Sequence, residues 1–279
     1  MHSVTIPTPP FYSKCETLKI HQIPSAFDNL IWLIEYEKGL AAAVDGPSAK
    51  EVLHYCTQND LRLTTIINTH THPDHIGINK DLQRRGLLSS LRVVGAAKRA
   101  TDIPGITECV QHGSKLQLGP VTGKAFLTEG HINGHMSYLF SNILFCGDTL
   151  FTGGCGYLFD GPPSKMYHSL KLLSSFPDDT KICCAHEYTL DNLLFALSIE
   201  PHNANLQQRY SHSQKVCGLG GSVVPSNMLE EKHTNPFLRL DSKELQQSLQ
   251  KHYEDLDTND PIAVFTKCRE HKNKKYYRN

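Results

Sequence analysis

The stretch that decides the fold reads Thr69-His70-Thr71-His72-Pro73-Asp74-His75-Ile76-Gly77. Three imidazoles and one carboxylate follow directly on the apolar run 63–67, which is rich in β-branched residues and predicts a buried strand. A helix is predicted to begin near Asp74 and to end around Gly86, because Ile78 and Leu82 are four residues apart among polar ones. Potential metal ligands therefore crowd one strand-to-helix turn, at the end of a sheet where ligands gather in α/β folds.

Four such side chains are too close together for all of them to reach one small ion while each keeps its own rotamer. The economical interpretation is a pair of metal ions, with His70 and His72 on one and Asp74 and His75 on the other. The alternative is a polar turn with solvated histidines, in which Asp74 only caps the helix. That alternative suits one His and one Asp better than three His and an Asp.

Composition narrows the possible functions. The 279 residues include 28 basic and 28 acidic side chains, so charge gives no reason to expect nucleic acid or membrane as a partner. The 16 His direct attention to metal sites, and the nine irregularly spaced Cys predict reduced thiols in a cytoplasmic protein. Residues 1–19 lack a continuous apolar segment and contain no Arg, and no stretch approaches transmembrane length. We therefore predict a soluble protein with neither a secretory signal nor a transit peptide.

Potential ligands recur where later apolar runs end, at His131, Asp148 and His186. Any one of them alone would be read as a loop residue with a local hydrogen bond. Their repetition at strand ends indicates a shared site. Gly130 and Gly147 precede two of them, where a residue without Cβ allows the backbone to approach a metal centre.

The order of elements predicts an α/β fold. Residues 18–45 read as an antiparallel meander, and a helix over 48–59 and the 63–67 strand follow, as in a sandwich of sheets flanked by helices. After His186 the apolar spacing becomes helical. The helical candidates are 189–200, 204–216, 242–253 and 260–272.

Several of these motifs resemble a known family. The 69–75 motif, Gly130-His131, Gly147-Asp148-Thr149 and the segment 186–189 resemble the metallo-β-lactamase superfamily. Within it the chain resembles glyoxalase II, or hydroxyacylglutathione hydrolase, over about 18–272. The narrower likeness rests on Asp28-Asn29 and on the segments 150–156, 184–189 and 235–239. It implies an αββα catalytic domain over 1–187 and a mainly helical, substrate-binding domain over 188–279.

The resemblance also implies a binuclear metal centre. One metal would be held by His70, His72 and His131, the other by Asp74, His75 and His186, with Asp148 bridging the two. The family uses zinc, iron or manganese, and mixed imidazole and carboxylate ligands do not choose among these. We take two divalent ions as the cofactor, with zinc as the first choice.

The resemblance to glyoxalase II, together with this ligand set, implies a thioester hydrolase. Two metals roughly 3.5–4 Å apart hold a bridging water and lower its pKa towards neutrality, so metal-bound water is the predicted nucleophile, oriented by Asp74. A thiolate leaves without a strong general acid because the pKa of a thiol is only about 8.5. The predicted reaction cleaves S-(2-hydroxyacyl)glutathione, in particular S-D-lactoylglutathione, to glutathione and D-lactate, in methylglyoxal detoxification.

Five residues are predicted to bind the substrate. Arg269 and Lys272 match a basic pair of the family and would share one helix face, although charge alone fits a solvated tail equally well. Tyr188 matches a residue near the substrate, with a core Tyr as the competing interpretation. Tyr157 stands where the family commonly has Lys or Arg, so we expect weaker binding of glutathione thioesters. Phe159 replaces a tyrosine found in some members.

Two other classes of function compete with this one. The first is another hydrolase or a dioxygenase of the same fold acting on a different thiol conjugate. Persulfide dioxygenases keep one iron, and the presence of Asp74, His75 and His186 together argues against them. The second is a non-catalytic protein that binds glutathione conjugates, which the missing cation at Tyr157 leaves open. We further predict a monomer that binds neither nucleic acid nor membrane.

Overall fold

Two packed β-sheets form the centre of the chain, which we describe from a computed structural model over residues 2–278. The first sheet has seven strands whose spatial order follows the sequence. These strands are β1 (Phe11–Tyr12), β2 (Lys19–Ser25), β3 (Asn29–Glu37), β4 (Leu40–Val44), β5 (Arg62–Ile67), β6 (Arg92–Ala96) and β7 (Glu108–Val110). Strands β1 to β4 are antiparallel, and β4 to β7 pair in parallel.

Eight further strands follow in the chain. They are β8 (Lys115–Leu118), β9 (Val121–Leu127), β10 (Met136–Phe140), β11 (Ile143–Gly147), β12 (Leu150–Phe151), β13 (Gly154–Cys155), β14 (Lys181–Cys184) and β15 (Ser226–Asn227). The second sheet has the order β15-β14-β11-β10-β9-β8, and β12 and β13 form a separate hairpin.

Within residues 2–278, eight α-helices surround the sheets. They are α1 (Ala49–Gln58), α2 (Gly77–Arg84), α3 (Pro163–Ser174), α4 (Thr189–Ile199), α5 (Ala204–Gly218), α6 (Met228–Thr234), α7 (Lys243–Gln250) and α8 (Pro261–Lys274). None of the helices within residues 2–278 is both long and apolar enough to cross a bilayer.

Strand β3 shows why the first sheet is covered on both faces. Its side chains alternate, so Trp32 and Ile34 pack into the core between the sheets, whereas Ile31 and Leu33 pack on the opposite face. That opposite face lies under α1 and α2, which contribute Val52 and other apolar side chains. A strand buried on both faces requires a continuous apolar run. The result is a layered αββα arrangement, as predicted.

Hydrogen bonds between the two sheets gather the strand ends that carry the predicted ligands. The Leu30 N–H donates to the Ala185 carbonyl at 2.7 Å, just before His186. The Met136 N–H donates to the Thr69 carbonyl at 2.8 Å, just before His70. These bonds fix the ends of β5 and β14 at the same edge of the sandwich.

The sequence interpretation of the elements is confirmed for the 18–45 meander and wrong at the start of α2. That helix begins at Gly77 rather than near Asp74, because 72–76 form tight turns instead. Asp74 therefore does not cap the helix, and its Oδ2 accepts a hydrogen bond from Asn29 Nδ2 at 3.1 Å. Helices α3 and α6 and strand β7 were absent from the prediction.

The C-terminal helices are bonded to the sandwich through a buried carboxylate. Glu231 on α6 is fully buried and pairs with Arg209 on α5 at 2.5 Å. The same carboxylate accepts the Gly153 N–H at 2.8 Å and the Asn235 side-chain amide at 2.9 Å. A charge buried this deeply is tolerated when such partners satisfy it, so this contact fixes the helices against the β12–β13 hairpin.

Candidate metal centre and substrate cavity

The first group of candidate ligands consists of three imidazoles. His70 and His72 lie in the turn after β5, and His131 follows β9. His72 Nδ1 lies 3.0 Å from His70 Nε2 and 3.0 Å from His131 Nε2. Ring nitrogens from two sheets therefore converge on one point.

The second group lies beside the first and includes carboxylates. Asp74 Oδ2 lies 3.5 Å from His75 Nε2 and 3.4 Å from His186 Nε2. Asp148 Oδ1 lies 3.5 Å from each of the same two nitrogens. Its other oxygen, Oδ2, lies 3.4 Å from His131 Nε2 in the first group. Asp148 thus contacts both groups, as expected for the bridging position.

The outer ring nitrogens of these histidines are held by hydrogen bonds. His75 Nδ1 donates to Asp45 Oδ2 and His186 Nδ1 to Asp28 Oδ1, both at 2.9 Å. His131 Nδ1 donates to the Tyr157 carbonyl at 2.8 Å. A proton held on Nδ1 leaves the Nε2 lone pair directed at the centre, which is the arrangement that orients metal-ligating histidines.

Two buried polar atoms test whether this cluster suits metal ions. His75 Nε2 and Asp148 Oδ1 are buried, and neither finds a hydrogen-bond partner within residues 2–278. Donor atoms around one tetrahedral ion with bonds of roughly 2.0–2.1 Å stand about 3.4 Å apart, close to the spacings found here. Imidazole nitrogens and carboxylate oxygens are also suitable donors for zinc, iron and manganese. The residues present fit a pair of divalent ions.

Asp45, together with His70 and His75, forms a third set of side chains close enough to hold a metal ion, since their ligand atoms lie within 4.8 Å of one another. Its oxygens are already engaged, because they accept the Thr69 N–H at 2.8 Å, the Thr69 hydroxyl at 2.5 Å and the His75 Nδ1–H. We therefore assign Asp45 to the support of His75 rather than to metal binding.

The two groups differ in charge. Burial, reinforced by neighbouring imidazoles, lowers the pKa of His70 well below its usual value, and burial likewise lowers the pKa of His131. Burial opposes the charged form of His186 too, but Asp148 and Asp28 outweigh it and raise its pKa to about 9. The first group therefore offers neutral imidazoles, the form that binds metals, whereas in the second group a metal ion would replace the Nε2 proton of His186 and balance the charge of the same carboxylates.

Only one of the two predicted close-approach glycines faces the centre. A Cβ on Gly147, which has φ +47°, would lie 2.4 Å from Thr69 Oγ1, so a side chain there would push Asp148 away from the first sheet. A Cβ on Gly130 would instead lie 2.6 Å from Met166 Cα on α3. Gly130 serves the packing of α3, and the prediction of metal proximity was wrong for it.

A cavity of about 380 Å³ opens above the candidate ligands. Its aromatic wall includes Tyr157, Phe159 and Tyr188. The Phe159 ring meets the edge of His131, with centroids 5.2 Å apart, and Tyr188 stacks on His186 at 4.8 Å. The aromatic side chains predicted from the sequence to contact substrate therefore all face the centre.

A neighbouring cavity of about 510 Å³ contains the predicted basic pair. Arg269 and Lys272 lie on α8, and each is only 6% exposed. Tyr157 and Tyr188 line both cavities, so the two spaces adjoin, whereas Phe159 lines only the smaller one. Buried cations beside a metal-type cluster are the arrangement that an anionic substrate would require.

Comparisons with known proteins decide the family. Residues 44–186 match the model of the metallo-beta-lactamase superfamily, and residues 187–275 match the model described as the hydroxyacylglutathione hydrolase C-terminus. The chain is 41% identical over 264 residues to hydroxyacylglutathione hydrolase from a Synechococcus species, covering 91% of this chain and 99% of the relative. It is also 41% identical to the enzyme of that name from Vibrio campbellii, covering 92% of this chain and 99% of that one.

The chain belongs to the hydroxyacylglutathione hydrolase family. A solved structure, ETHE1 from Myxococcus xanthus, shares the fold with a TM-score of 0.59 and 22% identity, covering 91% of this chain and 97% of that one. The metallo-β-lactamase fold followed by a helical C-terminal region agrees with the prediction. As a member of this family, the chain is a thioester hydrolase.

In this member of the hydroxyacylglutathione hydrolase family, three groups hydrogen-bond to the outer ring nitrogens of candidate ligands, and the sequence did not identify this role for any of them. Asp45 and the Tyr157 carbonyl were not identified from the sequence as supports for His75 and His131. Asp28 was noticed only as part of a family motif, and its contact with His186 joins β14 to the turn before β3. For Asp45, the sequence signal that could have identified this supporting role is its position directly after an apolar strand.

Proposed function

We propose that the chain hydrolyses S-(2-hydroxyacyl)glutathione thioesters, S-D-lactoylglutathione first among them, to glutathione and a 2-hydroxy acid such as D-lactate. We assign this reaction to methylglyoxal detoxification. One observation carries the proposal: Asp148 joins two convergent ligand groups beside a cavity with two buried cations. A metal cluster without the cations would fit many hydrolases of this fold, and the cations select an anionic thiol carrier.

The proposed metal ligands are the seven residues predicted from the sequence. Two divalent ions, when bound, would supply a hydroxide nucleophile at neutral pH and an electrophile for the thioester carbonyl. The residues that would hold them are His70, His72, Asp74, His75, His131, Asp148 and His186. We propose zinc as the resident metal, with iron or manganese as alternatives. The family relationship and the mixed donor set support divalent ions of this kind.

The side chains of the chain position the reactants. Asp74 is 39% exposed and has its Oδ2 fixed by Asn29, so it accepts a hydrogen bond from the attacking water and directs the oxygen at the carbonyl carbon. Tyr188 stacks on His186 and lines both cavities, and its hydroxyl interacts with Asp28, so its ring is the part that packs against the peptide portion of the substrate. Tyr157 and Phe159 pack together with centroids 4.9 Å apart and shield the acyl group from solvent.

The reaction needs no protein nucleophile. The water oxygen forms a bond to the acyl carbon, the C–S bond breaks, and sulfur leaves with its electron pair as the glutathione thiolate. The acyl carbon becomes the carboxylate of the hydroxy acid, and the two protons of the water pass to solvent, from which the released thiolate takes one up. Because the pKa of a thiol is about 8.5, the thiolate leaves without a protonating side chain.

The proposal also covers the domain division, the oligomeric state and the compartment of the protein. Residues 1–187 form the catalytic domain and 188–279 the substrate-binding domain, a division that the two family models support. One chain supplies every proposed ligand and substrate contact, so a monomer is sufficient. All nine cysteines are free thiols, which supports a reducing compartment, and we propose the cytoplasm.

A metal-defined thioester panel tests the function. The protein is stripped with chelator, reloaded with zinc, iron or manganese, and assayed for thiol release from lactoylglutathione and from the matching thioester of N-acetylcysteamine, which lacks both carboxylates. We expect activity only after reloading and a strong preference for the glutathione thioester. Activity that survives complete metal removal would contradict the mechanism, and equal rates on both thioesters would contradict the choice of thiol.

Replacing Tyr157 with Lys should lower KM for lactoylglutathione up to about fivefold, with kcat nearly unchanged. Tyr157 is 52% exposed at the rim of the larger cavity, and an exposed ion pair contributes only about 0.2–1 kcal/mol. The backbone carbonyl that holds His131 is unaffected by the substitution. Tyr157→Gln serves as the uncharged control, and the N-acetylcysteamine thioester should show no gain. An unchanged or higher KM in the Lys variant would refute the role of this position.

A further inference from the structure

A further buried histidine lies beneath the centre, in addition to the five histidines of the two ligand groups. His135 is completely buried at the start of β10 and stacks on His70, with ring centroids 4.9 Å apart and planes 28° apart. Its Nε2 lies 3.2 Å from the Asp148 N–H. One imidazole therefore touches a residue of the first group and the residue that joins both groups.

The hydrogen bonds around His135 fix which nitrogen carries its proton. The Asp148 N–H can only donate, so Nε2 accepts and carries no proton. Nδ1 lies 3.1 Å from both the Thr128 and the Thr149 hydroxyl oxygens, and the proton of Thr149 goes to the Thr128 carbonyl at 2.9 Å. Thr149 Oγ1 is thus free to accept from Nδ1–H. Both nitrogens are satisfied only when the imidazole is neutral with its proton on Nδ1.

The same bond controls the turn that presents Asp148. Gly147 directly before it adopts φ +47°, and a Cβ there would lie 2.8 Å from His135 Nε2, so the turn is closed tightly over the ring. The Asp148 carboxylate reaches both ligand groups from this turn. A displacement of its backbone amide would move both oxygens away from their partners.

We propose that His135 is a positioning residue that holds the Asp148 carboxylate across the two metal sites. The role rests on the proposed metal centre. His135 contacts neither substrate nor metal in this role, and it acts through the Asp148 amide and through its stacking on His70. Partners of this kind change metal affinity by about 10–100-fold when removed.

Metal binding to full-length variants tests the role directly. In His135→Leu the ring volume is largely kept but the acceptor is lost, and we expect the affinity for the second equivalent of Mn²⁺ to fall by about 10–100-fold. The exchange-coupled electron paramagnetic resonance signal of the Mn²⁺ pair should disappear with it. His135→Gln offers an amide oxygen near the Nε2 position and should restore much of both. His21→Leu is the matched control, because His21 is also buried but contacts Tyr55 and Glu35 rather than Asp148 or His70.

Imidazole nitrogen chemical shifts give a readout that needs neither metal nor a variant. In metal-free wild-type protein the His135 shifts should show a proton on Nδ1 and none on Nε2. A proton on Nε2, or a Leu variant that binds two Mn²⁺ with wild-type affinity and coupling, would overturn the proposal. Wild-type protein that binds fewer than two Mn²⁺ would instead overturn the binuclear centre itself, which keeps the two failures distinct. Should the Leu variant not fold, the Gln variant and the nitrogen shifts still decide.

Discussion

Asp148→Asn should lower kcat/KM for lactoylglutathione by about 10²–10⁴-fold on protein incubated with saturating metal. The carboxylate is buried and lies 3.4–3.5 Å from three imidazole nitrogens, on His131, His75 and His186. Removing one partner from a buried charged cluster costs about 3–5 kcal/mol, and each 1.36 kcal/mol corresponds to a factor of ten in rate. An amide keeps the shape of the side chain but cannot balance the charge of two cations.

The control for this loss is the same chemical change on the surface. Asp179 is about half exposed and pairs only with the exposed Lys14, so Asp179→Asn should leave kcat/KM within about twofold of wild type. Metal content measured on both variants separates the possible causes. Asp148→Asn should hold less than two equivalents of metal, and a variant with full metal and full activity would exclude Asp148 from the bridging position.

The candidate ligand set could be proposed from sequence because its members follow apolar strands. Strands β5, β11 and β14 are recognisable from composition, and side chains at their ends must meet at one edge of the sandwich. The seven positions therefore needed only local patterns and a family likeness. His135 lies four residues after His131. The spacing alone did not show that His131 is the candidate ligand and His135 the supporting residue.

Contacts that depend on tertiary packing could not be predicted in this way. Helix α3 was missed although its local signal is present. Pro163 occupies a first-turn position that favours a helix start, and helical spacing relates the buried residues Met166, Leu170 and Leu173. His131 is supported by the backbone carbonyl of Tyr157. Because every residue has such a carbonyl, the identity of residue 157 gave no signal for this contact. The burial of Arg269 and Lys272 also has no local signal, since the same spacing fits a solvated basic tail.

Lys272→Met should raise KM for lactoylglutathione at pH 6 by about 10–150-fold, because a hydrogen bond to a charged group contributes about 1.5–3 kcal/mol. Of the two buried cations, Arg269 is already engaged, since it donates to the Cys155 carbonyl at 3.1 Å and to Asn273 at 3.0 Å. Lys272 donates to the Asn192 side chain and faces the same cavity. It is therefore the better candidate to bind a substrate carboxylate.

The charge of Lys272 depends on pH near neutrality. Burial, with a smaller contribution from Arg269, lowers its pKa to about 7, and Cys155, Cys268 and Asp191 oppose this only weakly. The ammonium is present below pH 7 and is lost above it, so kcat/KM should decline as pH rises through 7. Because kcat/KM reports groups of the free enzyme, the apparent pKa of this decline should be about 7. The N-acetylcysteamine thioester, which has no carboxylate to bind, should not show it.

Stability should move in the opposite direction from activity. The pKa of Lys272 is lower in the folded chain than its usual 10.5, so between pH 7 and 10.5 the unfolded chain binds more protons and the free energy of unfolding rises with pH. At pH 6 the buried ammonium is a cost, and Lys272→Met should unfold at the same temperature as wild type or higher. Thermal unfolding and Michaelis–Menten kinetics at pH 6 and pH 8 measure both effects. A structural lysine would lose stability together with activity, and a Met variant with unchanged KM would remove Lys272 from the substrate site.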